Sequence, residues 1–148
     1  PLNRGVDGCF MAFNVVRVLE IEPGAELDGT VYDQWVKIAY KEYSLSLFDM
    51  NMLAYEKAAG DYHEISIGVM FTELEEEEVP MMANRNMFRG RVVAVAKENG
   101  VFEHVVDLDG LKVILSDHEE HKIGASLRFK ARLDLLDFRG AVGGWKNI

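Results

Sequence analysis

Residues 101–117 read VFEHVVDLDGLKVILSD, and this stretch predicts two antiparallel strands joined by a tight turn. Val, Ile, Leu and Phe dominate both arms, Phe102 to Leu108 and Leu111 to Leu115, and these residue types favour extended backbone. Asp109 and Gly110 stand between the arms. A two-residue Asp-Gly loop is a strong hairpin signal, because a type I′ turn needs positive φ at both positions. We therefore expect a β-hairpin with positive φ at both turn residues.

Strand patterns flank this hairpin on both sides. Before it, Arg89 to Lys97 is rich in Val and Ala and ends at the turn pair Asn99-Gly100. After it, apolar residues alternate with polar and charged ones, which predicts a strand with one buried face. The apolar residues of that last strand are Leu127, Phe129, Ala131, Leu133 and Leu135.

The first half of the chain carries similar patterns. Phe13 to Ile21 is apolar and stops at Pro23-Gly24, Trp35 to Phe48 reads as one long strand or two, and Ile65 to Phe71 alternates with a period of two. Asn51 to Ala59 instead holds good helix formers and is followed by Gly60, so we expect one short helix there. The sequence therefore predicts a mostly β protein with one short helix.

The two halves resemble each other, although identities are few. The matched segments are Phe13 to Gly24 with Phe88 to Gly100, Trp35 to Asp49 with Glu103 to Asp117, and Gly60 to Phe71 with Gly124 to Leu135. A rival alignment pairs Leu27-Asp28-Gly29 with Leu108-Asp109-Gly110. The hypothesis is an internal repeat: two similar strand-rich halves that form either one shared barrel or two small barrels.

Four segments follow from these patterns. Residues 1–10 are predicted to be a tag or a disordered extension, residues 11–72 the first β-rich half, residues 73–84 an acidic linker, and residues 85–148 the second β-rich half. Glu73 to Glu78 holds five Glu among six residues, and like charges packed this closely repel and stay hydrated. Cys9 has no second cysteine with which to form an internal disulfide. Because apolar runs are also short, we expect a cytoplasmic protein.

The order strand, hairpin, connector, Gly, strand in the second half resembles the OB fold, a small barrel of five strands. The residues that carry the resemblance are the strand Arg89 to Lys97, the hairpin about Asp109-Gly110, the connector Asp117 to Ile123 and the strand after Gly124. The sequence departs from that layout after Phe138, where the tail has little strand propensity. The first half then supplies the fifth strand of a shared barrel, or the resemblance is accidental. A split barrel with another strand order would give the same pattern.

Charge is distributed unevenly along the chain. Its formal net charge is -9, yet residues 1–84 hold 5 basic and 16 acidic residues, whereas residues 85–148 hold 11 basic and 9 acidic ones. Alternation places Arg128, Lys130 and Arg132 on one side of a strand, and Arg89 with Arg91 on one side of another. Such a basic stripe on a small barrel is suited to single-stranded nucleic acid. The competing interpretation is that these bases balance acids such as Asp107 and Glu103 across strands.

One histidine cluster is a candidate site for a metal ion. His118 and His121 lie beside Asp117, and imidazole and carboxylate groups are common ligands of divalent metals. An ordinary solvated connector is the competing interpretation. No phosphate-binding Gly-rich loop and no nucleophile elbow is found in the sequence, so no cofactor is predicted.

Three functions therefore remain open. The first is a non-enzymatic barrel module that binds single-stranded nucleic acid through Arg89, Arg91, Arg128, Lys130 and Arg132, with Phe88, Phe102 or Trp145 available to stack bases. The second is a protein-interaction or assembly subunit that uses the acidic first half, or the methionines Met81, Met82 and Met87, as its contact surface. The third is a metal- or flavin-dependent enzyme. No membrane partner is predicted.

Overall fold

The computed structural model describes residues 2–4, 10–74 and 86–141, and strands dominate them. The prediction of a mostly β protein is confirmed. The strands are β1 Leu2–Arg4, β2 Phe10–Ala12, β3 Asn14–Pro23, β4 Glu26–Leu27, β5 Thr30–Val31, β6 Gln34–Tyr40, β7 Tyr43–Asp49, β8 Tyr62–Leu74, β9 Met87–Glu98, β10 Val101–Leu108, β11 Leu111–Asp117 and β12 Ser126–Ala141.

The helix predicted over Asn51 to Ala59 is wrong in length and type. Only Glu56–Ala58 is helical, as one 3-10 turn. Asp49 explains the difference, because its carboxylate accepts hydrogen bonds from the backbone N–H groups of Leu53 and Ala54 at 2.8 and 2.9 Å. These bonds hold the first part of the segment in a compact loop, so the good helix formers there do not set the conformation.

The hairpin predicted at Asp109-Gly110 is confirmed. Asp109 has a φ of 56° and Gly110 a φ of 100°, and the flanking Leu108 and Leu111 are cross-strand partners. Asn99-Gly100 makes a second two-residue turn with the same signs of φ. These turns fix the register of β9, β10 and β11 as one antiparallel meander.

Eight of the strands form a closed barrel in the order β3-β6-β7-β12-β9-β10-β11-β8. β3, β6 and β7 are an antiparallel meander, as are β9, β10 and β11. β8 pairs antiparallel with β3 and parallel with β11, whereas β12 pairs antiparallel with β9 and parallel with β7. β8 and β12 also pair antiparallel with each other.

The pairing between β8 and β12 divides the barrel into two rings of five strands. The first ring contains β3, β6, β7, β12 and β8, and the second ring contains β9, β10, β11, β8 and β12. Each long strand changes partner along its length. β8 pairs with β3 near Tyr62 and with β11 at Gly68, and β12 pairs with β9 near Arg128 and with β7 at Asp134. A strand from the first half, β8, therefore closes the second ring, and a strand from the second half, β12, closes the first ring.

The two halves have the same strand connectivity, and local details also correspond. β3 skips Leu19 in its pairing with β6, and β9 skips Val93 in its pairing with β10. The N–H of Gly60 donates to the carbonyl of Val18 at 2.7 Å, and the N–H of Gly124 donates to that of Val92 at 2.8 Å. Both glycines have a φ near 94°, at 94° and 93°. Corresponding positions of the two rings can therefore be compared directly.

One continuous core fills both rings. Alternate residues of every barrel strand point inward and join a single cluster of buried apolar side chains. From β12, Leu127, Phe129, Ala131, Leu133 and Leu135 all enter this core, as the alternation predicted. The expectation of little strand structure after Phe138 is wrong for residues 139–141, because β12 continues to Ala141 in its pairing with β8.

The outer faces of the two rings differ. β2 lies against β10 and β11, and Ala12 packs there with Ala94 and Val105 in a small second apolar cluster. The corresponding positions of the first ring are Glu20 and Lys37, which form an ion pair of 3.9 Å. The covered face is thus apolar and the uncovered face polar. Residues 2–4, within the segment predicted as an extension, form β1 and pair with β2.

Replacing Gly110 with Val should lower the free energy of unfolding by about 1 kcal/mol or more, because a β-branched side chain is strained at positive φ. A Cβ atom at Gly110 would also lie 2.5 Å from the hydroxyl oxygen of Tyr40. Gly100→Val is the matched control, since Gly100 has a φ of 77° but no atom within 4 Å of such a Cβ. Urea unfolding should show the larger loss for Gly110→Val, and equal losses would contradict this contact.

Candidate functional site

The basic residues of the second half share one outward face of β9 and β12. Arg89 is the cross-strand partner of Arg128, Arg91 is the partner of Ser126, and Lys130 is the partner of Met87. Arg89, Arg91 and Lys130 are exposed and Arg128 is half-buried. We call Arg89, Arg91, Arg128 and Lys130 the basic patch. The period-two pattern therefore gave the right orientation for all four side chains.

Arg132, the fifth predicted residue, lies on the same face of β12 but is already engaged. Its guanidinium donates to the two carboxylate oxygens of Asp134 at 2.7 and 2.8 Å. The same group lies 4.3 Å from the centre of the Phe48 ring. Because Asp134 is nearly buried, this ion pair is better shielded than one at the surface. Arg132 therefore contributes less positive charge to the surface than the sequence predicted.

An open groove of about 500 Å³ runs beside the basic patch. Its lining residues are Arg89, Gly90, Arg91, Val93, Asp107, Asp109 and Ser126. Asp107 accepts a hydrogen bond from the Gly110 N–H, and the Asp109 carboxylate lies 3.7 Å from the Lys41 ammonium. Both carboxylates are thus bound to groups at the hairpin.

Two acidic residues on neighbouring strands lie opposite bases of the basic patch. Asp107 is the cross-strand neighbour of Arg91 in β10, and Glu73 is that of Lys130 in β8. In the part of the chain that the structure describes, however, neither Arg89 nor Arg91 has an ion-pair partner. For Arg89 and Arg91, the predicted charge balance across strands is therefore present in placement only.

The first ring carries no equivalent of the basic patch. The cross-strand pair Arg89 and Arg128 corresponds to Val15 and Glu64 in the first ring. Glu64 is itself neutralised by Arg139, whose guanidinium lies 2.7 Å from its carboxylate. Two rings with the same connectivity thus differ in charge at one corresponding surface.

Aromatic side chains lie elsewhere than the sequence suggested. Phe88 is 2% exposed and belongs to the core, so the prediction that it stacks bases is wrong. It alternates with Arg89, and this alternation turns it inward. Phe102 is half-buried at the end of the second ring, and Trp145 lies outside the described residues.

Trp35 and Phe48 are the outward aromatic pair that sequence reasoning missed. They are cross-strand partners of β6 and β7 with ring centres 5.0 Å apart, and both are half-buried. The Arg132 guanidinium covers one side of the Phe48 ring. Alternation counted separately for each arm of the first hairpin would have placed both rings on the outer face.

The histidine cluster is a hydrogen-bonded connector. The His121 ring nitrogen Nε2 lies 2.8 Å from the Asp117 carboxylate, and the His121 backbone N–H donates to Nε2 of His104 at 2.9 Å. The other ring nitrogen of His104 lies 3.0 Å from the carbonyl of Leu115 and donates to it. His118 is exposed. Among the described residues, no group of three His, Cys, Asp or Glu side chains is placed to hold a metal ion.

These contacts perturb two titrating groups. Burial lowers the pKa of His104 below its ordinary value, and the charge of His121 acts in the same direction. The bond to Leu115 and the nearby carboxylates oppose this only in part. Burial raises the pKa of Asp117, but hydrogen bonds from the His121 ring and from backbone N–H groups outweigh it, so that pKa lies below its usual range. His104 is therefore a neutral, fully bonded residue that holds the connector.

His63 is a second buried histidine. Its Nδ1 lies 3.0 Å from the carbonyl of Arg139, and its ring stacks on Phe138 with centres 4.6 Å apart. Its Nε2 has no hydrogen-bond partner within the described chain.

Comparisons with known proteins provide no family for this chain. No protein-family model, no curated protein and no solved structure matches it. Among the described helices, none has the length and apolar character needed to cross a bilayer. Cys9, most of the acidic segment, Met81 and Met82 lie outside the described residues.

Replacing His104 with Gln should remove part of the pH dependence of stability. The unfolded chain protonates His104 near its ordinary pKa of 6.5, whereas the folded protein does so only at lower pH. As the pH falls through this window, the unfolded state binds more protons, so the free energy of unfolding decreases. A Gln amide can form both hydrogen bonds without titrating.

Urea unfolding between pH 7 and pH 5 should therefore show a steeper loss for the wild type than for His104→Gln, by up to about 1.4 kcal/mol per pH unit. His118→Gln is the matched control, since that histidine lies on the same connector with an exposed side chain. Identical slopes for wild type and His104→Gln would refute the assignment.

Proposed function

We propose that this protein is a non-enzymatic β-barrel module that binds single-stranded nucleic acid at the basic patch of its second ring. The observation that carries the proposal is the grouping of Arg89 and Arg91 on the outward face of β9, where neither has an ion-pair partner among the described residues, with Arg128 and Lys130 on the same face of β12. Cations in a row along a strand face can track the phosphates of an extended single strand. A bound polyanion would supply the counter-charge that Arg89 and Arg91 lack within the described residues.

The strand order supports the barrel part of the proposal. In each ring the fourth strand pairs antiparallel with the first, and the fifth pairs parallel with the third. This order is similar to that of the OB fold, which binds oligonucleotides and oligosaccharides. We infer that each ring is an OB-like barrel whose fifth strand comes from the other half, and that the halves are an internal repeat.

The spacing of the patch suits an extended backbone. Alternate residues of a strand stand on one face about 6.6 Å apart, twice the rise per residue. Arg128 and Lys130 have this spacing along β12, and Arg89 and Arg91 have it along β9. The patch therefore presents two short rows of positive charge side by side, one on β9 and one on β12. The open groove lies beside Arg89 and Arg91.

The net charge of the protein is negative, and it repels a polyanion at long range. This repulsion weakens the proposed binding. Two features of the described residues limit this effect at the patch. The groove carboxylates Asp107 and Asp109 are bound at the hairpin, and the first ring carries its Glu64 paired with Arg139. Binding should consequently be weak at physiological salt and steeply dependent on ionic strength.

The Trp35 and Phe48 pair extends the surface toward the first ring. β12 leads from Lys130 to Arg132, and the Arg132 guanidinium lies over Phe48. Aromatic faces beside cations favour base stacking. Because Arg132 already covers one side of Phe48, Trp35 is the more accessible partner for a base.

One observation favours assembly as a second candidate function. The connector after β7 exposes four large apolar side chains within six residues, which are Met50, Met52, Leu53 and Tyr55. Such clusters occur at protein contact surfaces. A protein contact there would give a mass that rises with concentration and would be insensitive to changes in the basic patch.

The test is a titration of a fluorescently labelled, single-stranded 12-mer at several salt concentrations. Four phosphate contacts predict a slope of about -2.8 in log affinity against log salt, since each contributes roughly 0.7 on a single strand. Arg89→Gln with Arg91→Gln should reduce the slope to about -1.4. Arg17→Gln is the matched control, because Arg17 is the exposed first-ring counterpart of Arg91.

Two results would overturn the proposal. One is no binding of the 12-mer at low salt. The other is a double variant with the same slope as the wild type. In either case the mass of the protein in solution, measured over a range of concentrations, decides whether assembly takes its place.

A further inference from the structure

The two rings close differently at the end where their connectors lie. In the first ring, residues 50–61 join β7 to β8, and in the second ring, residues 118–125 join β11 to β12. The second connector is therefore four residues shorter. This difference decides how much of each barrel end is filled.

The end of the first ring is sealed. Ala54 and Ala58 of its connector are buried in the core. Gln34 donates to the Asp49 carboxylate and to the Ala54 carbonyl, both at 2.8 Å. Apolar packing and hydrogen bonds together leave that end closed.

The end of the second ring is open. None of residues 118–125, all of which the structure describes, is buried; only Ala125 packs against the core, and the one large apolar side chain, Ile123, is 68% exposed. Phe102 and Asp117 occupy the positions that correspond to Gln34 and Asp49. A groove of about 460 Å³ lies between the barrel end and the connector, lined by Val95, Lys97, Phe102, Glu120, Lys122 and Ile123.

We propose that this groove is a second binding site, specific for a small amphipathic anion with a flat apolar body. This inference goes beyond the proposed function, because the site lies at the end of the second ring and not on its side. The bulge at Val93 separates the two surfaces, since β9 changes face there between Arg91 and Val95.

The chemistry of the lining residues selects the ligand class. Val95, Phe102 and Ile123 provide apolar walls, and the Lys97 ammonium lies 5.4 Å from the centre of the Phe102 ring. Lys122 pairs with Glu120 at the surface, and exposed pairs of this kind are weak enough to exchange for a ligand anion. The Lys97 ammonium beside the Phe102 ring, with Lys122 in the same lining, suits a carboxylate, sulfonate or phosphate attached to an apolar group. The groove volume lies within the range of small-molecule sites, about 300 to 1,000 Å³.

The connector wall of the groove is held in place before any ligand binds. The His121 N–H is bonded to the buried ring of His104, and the His121 ring is bonded to Asp117. These bonds fix the segment that presents Glu120, Lys122 and Ile123. Preorganisation of this kind reduces the entropic cost of binding.

The test uses 1-anilinonaphthalene-8-sulfonate as the probe, with the folded full chain, fluorescence titration and amide chemical shifts. We expect saturable binding with shifts concentrated at Phe102, His104 and Ile123. Lys97→Met should weaken binding about fivefold while leaving the fold unchanged, because it removes the proposed ion pair between the exposed Lys97 ammonium and the probe sulfonate. Lys57→Met, an exposed lysine on the connector of the sealed ring, should bind as the wild type does.

A neutral analogue, N-phenyl-1-naphthylamine, tests the requirement for charge and should bind more weakly than the sulfonate. The proposal is overturned if Lys97→Met binds the probe as tightly as Lys57→Met, if the neutral analogue binds equally well, or if the shifts concentrate on Met50 to Tyr55. Arg89→Gln with Arg91→Gln should not affect probe binding, so this result is independent of the nucleic-acid proposal.

Discussion

The whole structure depends on two strands that each serve two rings. β8 begins beside β3 and continues beside β11, and β12 begins beside β9 and continues beside β7. Neither meander can close on itself, because the fifth strand of each ring belongs to the other half. The pairing of β8 with β12 therefore ties the halves into one hydrogen-bonded unit. A single core cluster that includes side chains from both meanders is the consequence.

The two rings have similar backbone arrangements but different surfaces. Connectivity, the skipped residues in β3 and β9, and the Gly60 and Gly124 bonds are alike in both rings. Surface charge and barrel closure are not alike. The second ring has the basic patch, the covering strand β2 and the open end, whereas the first has paired charges and a sealed end. These differences are the basis of the two binding sites that we propose for the second ring.

The sequence predicted local features well. Asp109-Gly110 makes its hairpin because both φ preferences are fixed within the turn, and alternation correctly turned Arg128 and Lys130 outward. The helix predicted over Asn51 to Ala59 does not form, because one carboxylate, that of Asp49, accepts hydrogen bonds from backbone N–H groups of the segment. Parallel pairing of β8 with β11 had no local signature, since it joins residues far apart in the chain. The sequence also could not predict which barrel end is closed and which is open. The four-residue difference in connector length can be interpreted only after the two rings have been aligned.

Native-state hydrogen exchange of the folded chain, followed by NMR at increasing denaturant, tests the shared-strand architecture most directly. If each ring needs a strand from the other half, the core amides of β6 and β10 must open in the same event, so their exchange free energies should converge on the global free energy of unfolding. A contradiction would be a second meander, β9 to β11, that opens at a distinctly lower free energy while the amides of β3, β6 and β7 remain protected.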